Sequence, residues 1–412
     1  MTLNVDLRQV IHALADALDL VGVDDVAHGK RVGVMAAECG RVEGLGADEV
    51  AFLFELGMLH DIGVSSTRVH GHLVESFDWS GAQTHCQVGY ERVRGFAPLE
   101  AMALPILYHH TRWDVLQNLP LPARVKRQAN LIYLVDRVDA LAAPHYGDKA
   151  LLLFTEEIRA RISEHAGSYF APELVEIFLE ASRAEAFWLM LEPRSLEALR
   201  PQGVDGMFAA TPDELYRLGE IFARIVDAKS PFTAEHSVGV ARLARYLGER
   251  LGLEAGHVGR LEIAALLHDL GKLRVPDEIL DKPGRLDARE RKIINAHSFE
   301  TFRILRGIRG FEEIALWAAC HHEEPDGSGY PFHLDAAATP LEARILRVAD
   351  IFQAMVQERP YRQGMDDAAV ARFMGELVAA GRCEARLVDA LLADLPAARR
   401  QACGAGVPAP QP

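Results

Sequence analysis

The same order of histidines and aspartates occurs twice along this chain of 412 residues, and that duplication constrains the fold more than any other feature. The first half carries, in order, His28, His60, Asp61, His85, His109, His110 and Asp136, and the second carries His236, His268, Asp269, His297, His321, His322 and Asp350. The step from His28 to His60 spans 32 residues, as does the step from His236 to His268. We infer an internal duplication with a period of about 210 residues.

The repeat lies in a sequence with helical periodicity almost throughout. His236, Val240, Leu243 and Leu247 occupy positions i, i+4, i+7 and i+11, which fall on one face of a helix. Few segments alternate between apolar and polar residues as half-buried strands do. The expected fold class is therefore all-α, with two tandem helical domains.

A segment containing proline and glycine separates the two halves. It covers residues 192–214 and ends in Thr211, Pro212 and Glu214, the pattern of a helix N-cap, a first-turn proline and an N3 carboxylate. We place the first domain at residues 1–195, the linker at 196–211 and the second domain at 212–403. Residues 404–412 form the expected frayed tail.

Charge and cysteine content restrict the partners and the compartment. The formal net charge of −15 disfavours nucleic acids and membranes as partners, because both attract proteins through a basic excess. Five cysteines without a CxxC pair favour a reducing compartment. His12, Asp16 and Asp19 interrupt the apolar run that a signal peptide or membrane span would need. The expected location is the cytoplasm.

Several of the repeated residues lie on the apolar faces of predicted helices, so their side chains point toward the interior of the protein. His28, for example, shares a helical face with Val32 and Met35. One such histidine alone is most often an ordinary core residue. Two matching series favour metal binding, because burying many imidazoles and carboxylates is costly unless a multivalent cation holds them. Nitrogen and oxygen ligands without thiolates suit iron, manganese or zinc, and adjacent His-Asp and His-His pairs suit two ions.

Four segments of the second half, HDLGK, KPGRL, HHEEPDGSGYP and ERPYR, carry a resemblance to a known family. Over residues 212–370 the chain resembles the HD-GYP family, HD-domain metallophosphohydrolases that cleave the bacterial messenger cyclic di-GMP. The resemblance implies that both domains are of HD type and that the second holds two divalent transition metals, iron or manganese. The implied ligands are His236, His268, Asp269, His297, His321, His322 and Asp350.

The resemblance also implies catalytic and substrate-binding positions. Lys272 matches the family's lysine near the scissile phosphate, and Asp269 is the second implied catalytic residue. Tyr330 matches the tyrosine beside a guanine, and Arg359 and Arg362 match basic positions that contact phosphate. In an acidic chain these cations would supply a local field for a phosphodiester.

Two positions depart from the family pattern. Phe232 stands where members with a third metal carry glutamate, which favours two ions. Gln353 replaces the second aspartate of the DxxDA pattern and removes one carboxylate near the site.

The first half resembles the wider HD superfamily and keeps all of its metal stations. Val64 replaces the lysine, however, and HHTRWDVLQN stands in place of the GYP loop. We expect this half to bind metal through His28, His60, Asp61, His85, His109, His110 and Asp136 and to contribute little to turnover. Hydrogen-bonded core histidines without metal are the alternative.

The expected function is hydrolysis of cyclic di-GMP to pGpG by a hydroxide activated at a dinuclear metal site. Whether hydrolysis continues to GMP stays open. Two alternatives stay open: an HD hydrolase of another cyclic dinucleotide or a nucleotide, and a sensor of metal or nucleotide without turnover. The expected partner is the cyclic dinucleotide. The sequence leaves open whether the protein forms a homodimer. The presence of Lys272 and the GYP loop favours catalysis.

Overall fold

The computed structural model describes residues 3–22, 27–75, 81–146, 150–198, 207–229, 236–358 and 363–404. Contacts divide the chain into two compact units, which we call the N-terminal domain (residues 10–206) and the C-terminal domain (residues 1–9 and 207–412). Strand β1 (Leu3–Asp6) pairs antiparallel with strand β2 (Met207–Ala210). This pairing places residues 1–9 with the C-terminal domain, whereas the sequence places them in the first domain of residues 1–195.

The described part of the N-terminal domain consists of helices joined by turns and loops. Its helices are α1 (Leu7–Asp19), α2 (His28–Glu43), α3 (Ala47–Leu59), α4 (Thr67–Glu75), α5 (Ala82–Val93), α6 (Glu100–Tyr108), α7 (Trp113–Leu116), α8 (Ala123–Ala142), α9 (Leu151–Ser163), α10 (Pro172–Ala181), α11 (Glu185–Leu189) and α12 (Pro193–Ala198). Short 3₁₀ turns occupy Leu20–Gly22 and Ala143–His145. Helix α2 packs against α3 and α8 at the centre of this domain.

The C-terminal domain repeats this architecture. Its helices are α13 (Pro212–Asp227), α14 (His236–Arg250), α15 (Ala255–Leu267), α16 (Asp277–Leu280), α17 (Ala288–Leu305), α18 (Glu312–Ala319), α19 (Leu341–Val356), α20 (Asp367–Ala379), α21 (Ala385–Leu392) and α22 (Leu395–Cys403). Two 3₁₀ turns, Leu270–Arg274 and Cys320–His322, carry parts of the site described below. Helix α14 packs against α15 and α19, as α2 packs against α3 and α8.

The predicted all-α class with two tandem helical domains is confirmed. The helix start predicted at Thr211 is also present, because Thr211 accepts from the backbone N–H of Glu214 and the Glu214 carboxylate accepts from that of Thr211. Among the helices described, none has the length and apolarity needed to cross a membrane.

Two glycines let each HD turn approach the helix that carries the third histidine. A Cβ at Gly271 would lie 2.0 Å from the carbonyl oxygen of His297, and one at Gly63 would lie 1.9 Å from that of His85. Both distances are far below van der Waals contact, so only glycine fits. The close approach brings the His-Asp pair of each domain next to its third histidine.

Candidate metal centres and active site

The C-terminal domain brings its predicted metal ligands together from five elements. His236 begins α14, His268 and Asp269 directly follow α15, His297 lies in α17, His321 and His322 lie in the second 3₁₀ turn, and Asp350 lies in α19. The ligand atoms of His236, His268 and Asp350 lie within 4.8 Å of one another, as do those of His297, His321 and His322. Residues far apart in sequence thus form two adjacent sets that could each hold a metal ion.

Asp269 lies between these two sets. Its Oδ2 atom is 3.3 Å from Nε2 of His268 and 3.7 Å from Nε2 of His236. Its Oδ1 atom is 3.4 Å from Nε2 of His297 and 4.0 Å from Nε2 of His321. Each carboxylate oxygen therefore faces a different pair of imidazoles, so Asp269 could offer one oxygen to each set.

Backbone carbonyls fix the ring orientation of three of these histidines. The Nδ1 atoms of His268, His297 and His321 each lie 2.6 to 2.7 Å from the carbonyl oxygen three residues earlier in the chain. Because a carbonyl only accepts hydrogen bonds, Nδ1 must be the protonated nitrogen. In the neutral ring Nε2 then carries the lone pair, directed at the cluster, as a metal ligand requires.

Burial keeps several imidazoles of the cluster neutral. Desolvation lowers the pKa of His297 to about 4. Desolvation likewise holds the pKa values of His321 and His322 well below the ordinary histidine value. Neutral imidazole is the form that binds metal, so these three rings need lose no proton near neutral pH.

The two carboxylates stay ionised despite their burial. Desolvation opposes ionisation of Asp269, but the charges of His268 and Lys272 hold its pKa well below the usual range. For Asp350, desolvation is outweighed by a hydrogen bond from His236, which keeps its pKa low. The cluster therefore combines anionic oxygen atoms with the neutral imidazoles of His297, His321 and His322.

The chemistry of these residues fits divalent metal ions. His236, His268, Asp269, His297 and His321 are each at most 3% exposed. Within the described part of the chain, Oδ1 of Asp269 accepts no hydrogen bond from protein. An ionised oxygen buried in this way is costly unless a cation pairs with it. Imidazole and carboxylate ligands suit iron, manganese or zinc, as the sequence predicts.

The N-terminal domain reproduces this geometry. Oδ1 of Asp61 lies 3.1 Å from Nε2 of His85 and 3.7 Å from Nε2 of His109. Its Oδ2 lies 3.6 Å from Nε2 of His60 and 3.8 Å from Nε2 of His28. His110 and Asp136 complete the cluster. The predicted second set of residues is thus assembled around Asp61, as the first set is around Asp269.

Lys272 distinguishes the C-terminal cluster from its repeat. Its ammonium donates to Oδ2 of Asp269 at 2.5 Å, and its side chain is 23% exposed. A partly exposed cationic side chain therefore lies next to the cluster. Val64 occupies the corresponding position in the N-terminal domain, where it lines a small cavity with His28 and Asp61.

Tyr330 also lies at the C-terminal cluster. Its ring centroid is 4.7 Å from that of His322, and its backbone N–H donates to the carbonyl oxygen of the same residue at 3.2 Å. The two predicted phosphate-contacting residues, Arg359 and Arg362, lie outside the described residues, as does Phe232.

Comparison with known proteins shows the family of this chain. A family model described as HD domain matches residues 220–377. The 3'3'-cGAMP-specific phosphodiesterase 1 of Vibrio cholerae serotype O1 is 38% identical to this chain over 395 residues, which are 94% of the chain and 92% of that relative. The chain belongs to the HD-GYP family of metal-dependent phosphodiesterases.

Two further members of the HD-GYP family show how far the similarity extends. The cyclic di-GMP phosphodiesterase response regulator RpfG of Xanthomonas campestris is 40% identical over 174 residues, covering 41% of this chain and 45% of its own length. The crystal structure of a cyclic GMP-AMP specific phosphodiesterase of V. cholerae, V-cGAP3, superimposes with a TM-score of 0.64 and 25% identity. It covers 96% of this chain and 98% of its own.

Two glutamates anchor the GYP loop of this HD-GYP protein. The Glu323 carboxylate accepts the backbone N–H groups of Phe332 at 2.7 Å and Leu334 at 2.9 Å. Glu324 accepts from Arg347 at 2.7 Å and from Arg382 at 2.8 Å. Both glutamates are at least nine-tenths buried. The sequence analysis assigns a role only to the histidines of the HHEE motif. The structure shows that the two glutamates bind the loop and its neighbours through hydrogen bonds.

Sequence reasoning missed one further aspartate in each domain. Asp19 and Asp227 both lie nine residues before the first histidine of their series. Asp19 accepts the backbone N–H of Gly29 at 3.1 Å, and Asp227 accepts the hydroxyl of Ser237 at 2.8 Å. Burial raises the pKa of each to about 6. Extending the comparison of the two halves toward the N-terminus of each would have found this pair of matching aspartates.

His70 is a second residue that sequence reasoning did not place at a site. It lies in α4, and its half-buried ring meets that of His28 edge-on, with centroids 6.0 Å apart. It lines the same small cavity as Val64, Asp19 and Asp61. Because no histidine occupies the matching place in the second half, the repeat itself gives no signal for His70.

Proposed function

We propose that the C-terminal domain hydrolyses a phosphodiester bond of 3'3'-cGAMP to give a linear dinucleotide. The observation that carries this proposal is Asp269, which faces two sets of imidazoles and holds Lys272 on the same carboxylate. A cyclic dinucleotide is the substrate class of the HD-GYP relatives. The choice of 3'3'-cGAMP rests on the similarity to the 3'3'-cGAMP-specific enzyme, which extends over nearly the whole of both chains.

Each residue of the site has a chemical part in this proposal. Two metal ions bound by the histidines and aspartates would supply Lewis acidity, which activates water and stabilises a leaving oxygen. The Lys272 ammonium would offset the negative charge that develops on the phosphoryl oxygens. Tyr330, half-buried against His322, would offer its ring as a stacking surface for a base.

Cyclic di-GMP is the second candidate substrate. The segment HHEEPDGSGYP, residues 321–331, and the similarity to RpfG favour it. That similarity covers only 41% of this chain, whereas the similarity to the 3'3'-cGAMP-specific enzyme covers 94%. On this ground cyclic di-GMP ranks second.

We propose a different role for the N-terminal domain. Its ligands match those of the C-terminal domain, but Val64 replaces the lysine and the GYP loop is missing from its sequence. Metal binding needs only the ligands, whereas cleavage also needs groups that hold the substrate. The proposed role is therefore metal binding with a structural or regulatory effect.

The test uses the purified full chain loaded with manganese or with ferrous iron under anaerobic conditions. It is incubated with 3'3'-cGAMP, cyclic di-GMP or cyclic di-AMP, and the products are separated and identified by mass. We expect a linear dinucleotide from 3'3'-cGAMP with a kcat/KM at least ~10-fold above that for the others. Preference for cyclic di-GMP would overturn the choice of base, and no product from any of the three would overturn the hydrolase.

A further inference from the structure

The first histidine of each cluster is held by a different kind of acceptor. In the N-terminal domain, Nδ1 of His28 donates to Oδ2 of Asp139 at 2.8 Å. In the C-terminal domain, Nδ1 of His236 donates to Oε1 of Gln353 at 2.5 Å. Asp139 and Gln353 occupy the same place in the repeat, three residues after the ligand aspartate of their helix. The exchange therefore replaces a carboxylate by a neutral amide behind the same metal ligand.

Asp139 is an acceptor with its own counter-ion, Arg31. Arg31 donates to Oδ1 of Asp139 at 2.7 Å and to Oδ2 at 2.9 Å, and the hydroxyl of Tyr146 donates to Oδ1 at 2.6 Å. A negative charge thus lies directly behind the ring of His28.

The surroundings of Gln353 differ in the matching position. Gly239 takes the place of Arg31 in the repeat. A Cβ at Gly239 would lie 2.2 Å from the carbonyl oxygen of Ala402 and 3.1 Å from Nε2 of Gln353. Position 239 therefore has no room for an arginine, and a carboxylate at position 353 would lack the counter-ion that Asp139 has. Gln353 is 1% exposed, so its amide is buried in the interior of the domain.

We infer that Gln353 is a positioning residue that orients His236 for metal and sets how strongly this imidazole donates to it. A carboxylate behind a ligand histidine raises the basicity of the ring, whereas an amide oxygen orients the ring without adding charge. His236 is therefore a weaker donor than it would be with aspartate or glutamate behind it. A metal bound by His236 would be held less tightly and would be a stronger Lewis acid. This inference rests on the proposed C-terminal metal centre.

The test measures metal binding in the full chain rather than turnover. His60→Ala with Asp61→Ala removes the central ligands of the N-terminal cluster, so that cobalt(II) added to this parent reports the C-terminal centre. Two variants are compared in it: Gln353→Met keeps the size of the side chain without an acceptor, and Gln353→Glu keeps the acceptor and adds charge. Circular dichroism confirms that each protein is folded.

We expect Gln353→Met to bind cobalt at least ~10-fold more weakly than the parent and to change its visible absorption spectrum, because the ring of His236 is no longer held. Gln353→Glu should bind at least as tightly as the parent. With native metal in the full chain, it should also move the acidic limb of the pH profile of kcat to higher pH, because the metal becomes a weaker Lewis acid.

A reciprocal exchange in the N-terminal domain provides the matched control. In a chain carrying His268→Ala and Asp269→Ala, Asp139→Asn should lower the cobalt affinity of the remaining centre. If Gln353→Met keeps the affinity and spectrum of the parent, the inference is overturned while the metal centre stands. If the parent itself binds no cobalt, the proposed C-terminal metal centre fails and the inference fails with it.

Discussion

The ammonium of Lys272 lies 2.5 Å from Oδ2 of Asp269, the carboxylate oxygen that also faces His236 and His268. One carboxylate therefore connects the ligands of one metal position with a cation near the solvent, while its other oxygen faces the second position. The side chain of Lys272 is 23% exposed, so part of it contacts solvent. Mutation can therefore separate the proposed metal binding by Asp269 from the proposed stabilisation of phosphoryl oxygens by Lys272.

Replacing Lys272 by methionine should slow hydrolysis without removing metal. The change keeps most of the side-chain volume and deletes the charge that would stabilise the phosphoryl oxygens. We expect kcat to fall by ~100-fold or more, the scale of losing one group that stabilises a developing oxyanion. Metal content, measured by elemental analysis, should match that of the wild type. An unchanged kcat would make Lys272 an ordinary surface residue.

Removing the His-Asp pair of the C-terminal domain should remove both metal and activity. In the variant carrying His268→Ala and Asp269→Ala, both metal positions lose ligands, because the two oxygens of Asp269 face different positions. We expect the metal bound by this domain to be lost and the hydrolysis of cyclic dinucleotide with it. Undiminished turnover in the double variant would contradict the assignment of the site.

The duplicated pattern predicts the composition of the clusters, because the spacing of the ligands follows from helices that both halves share. It does not predict how Asp269 is turned, which depends on Gly271 lying against the carbonyl oxygen of His297. The role of Gln353 is also hidden in the sequence. There it counts only as a missing aspartate, whereas the folded chain brings its amide oxygen to His236 across 117 residues.

The role of the two glutamates of the HHEE motif could not be predicted from the sequence for a related reason. Their partners are backbone N–H groups of the same loop for Glu323, and Arg347 and Arg382 for Glu324. Neither set forms a pattern with regular spacing. The strand pairing of residues 3–6 with 207–210 is likewise a contact between distant segments, and for that reason the first domain boundary differs from the predicted one.

Loss of the Glu323 carboxylate should disturb the GYP loop while the metal ligands stay in place. Glu323→Ala leaves two backbone N–H groups, those of Phe332 and Leu334, without their acceptor. We expect a higher KM for the dinucleotide with unchanged metal content, because Tyr330 lies on the same loop. Glu323→Gln, which keeps one acceptor oxygen, serves as the control and should be affected less. Equal kinetics in all three proteins would refute the anchoring role.

Asp19 should make the metal-free protein less stable as pH rises. Burial raises its pKa to about 6, so the folded chain holds this proton more tightly than the unfolded chain does. The resulting stability is present at low pH and is lost as pH rises through about 6, which amounts to at most about 3 kcal/mol. Asp19→Asn does not titrate and keeps the acceptor for Gly29.

The gain in free energy of unfolding from Asp19→Asn should therefore be larger at pH 7.5 than at pH 5, when both are measured by denaturant unfolding in the presence of a chelator. Asp16→Asn, on the same helix but with a side chain that is 42% exposed, controls for the loss of a carboxylate. An equal gain at both pH values would show that Asp19 does not carry its proton into the folded state.

The last prediction separates the two metal clusters within one full-length chain. His60→Ala with Asp61→Ala removes the ligands at the centre of the N-terminal cluster, including the aspartate that faces both sets of imidazoles. We expect metal content to fall by the share that this domain holds, while most of the turnover of cyclic dinucleotide remains, because Lys272 and the GYP loop belong to the other domain. The same change should lower the melting temperature, since buried carboxylates lose their counter-ion. An unchanged metal content would refute metal binding by the N-terminal domain, and a loss of turnover as large as that of the His268 and Asp269 double variant would refute the division of labour.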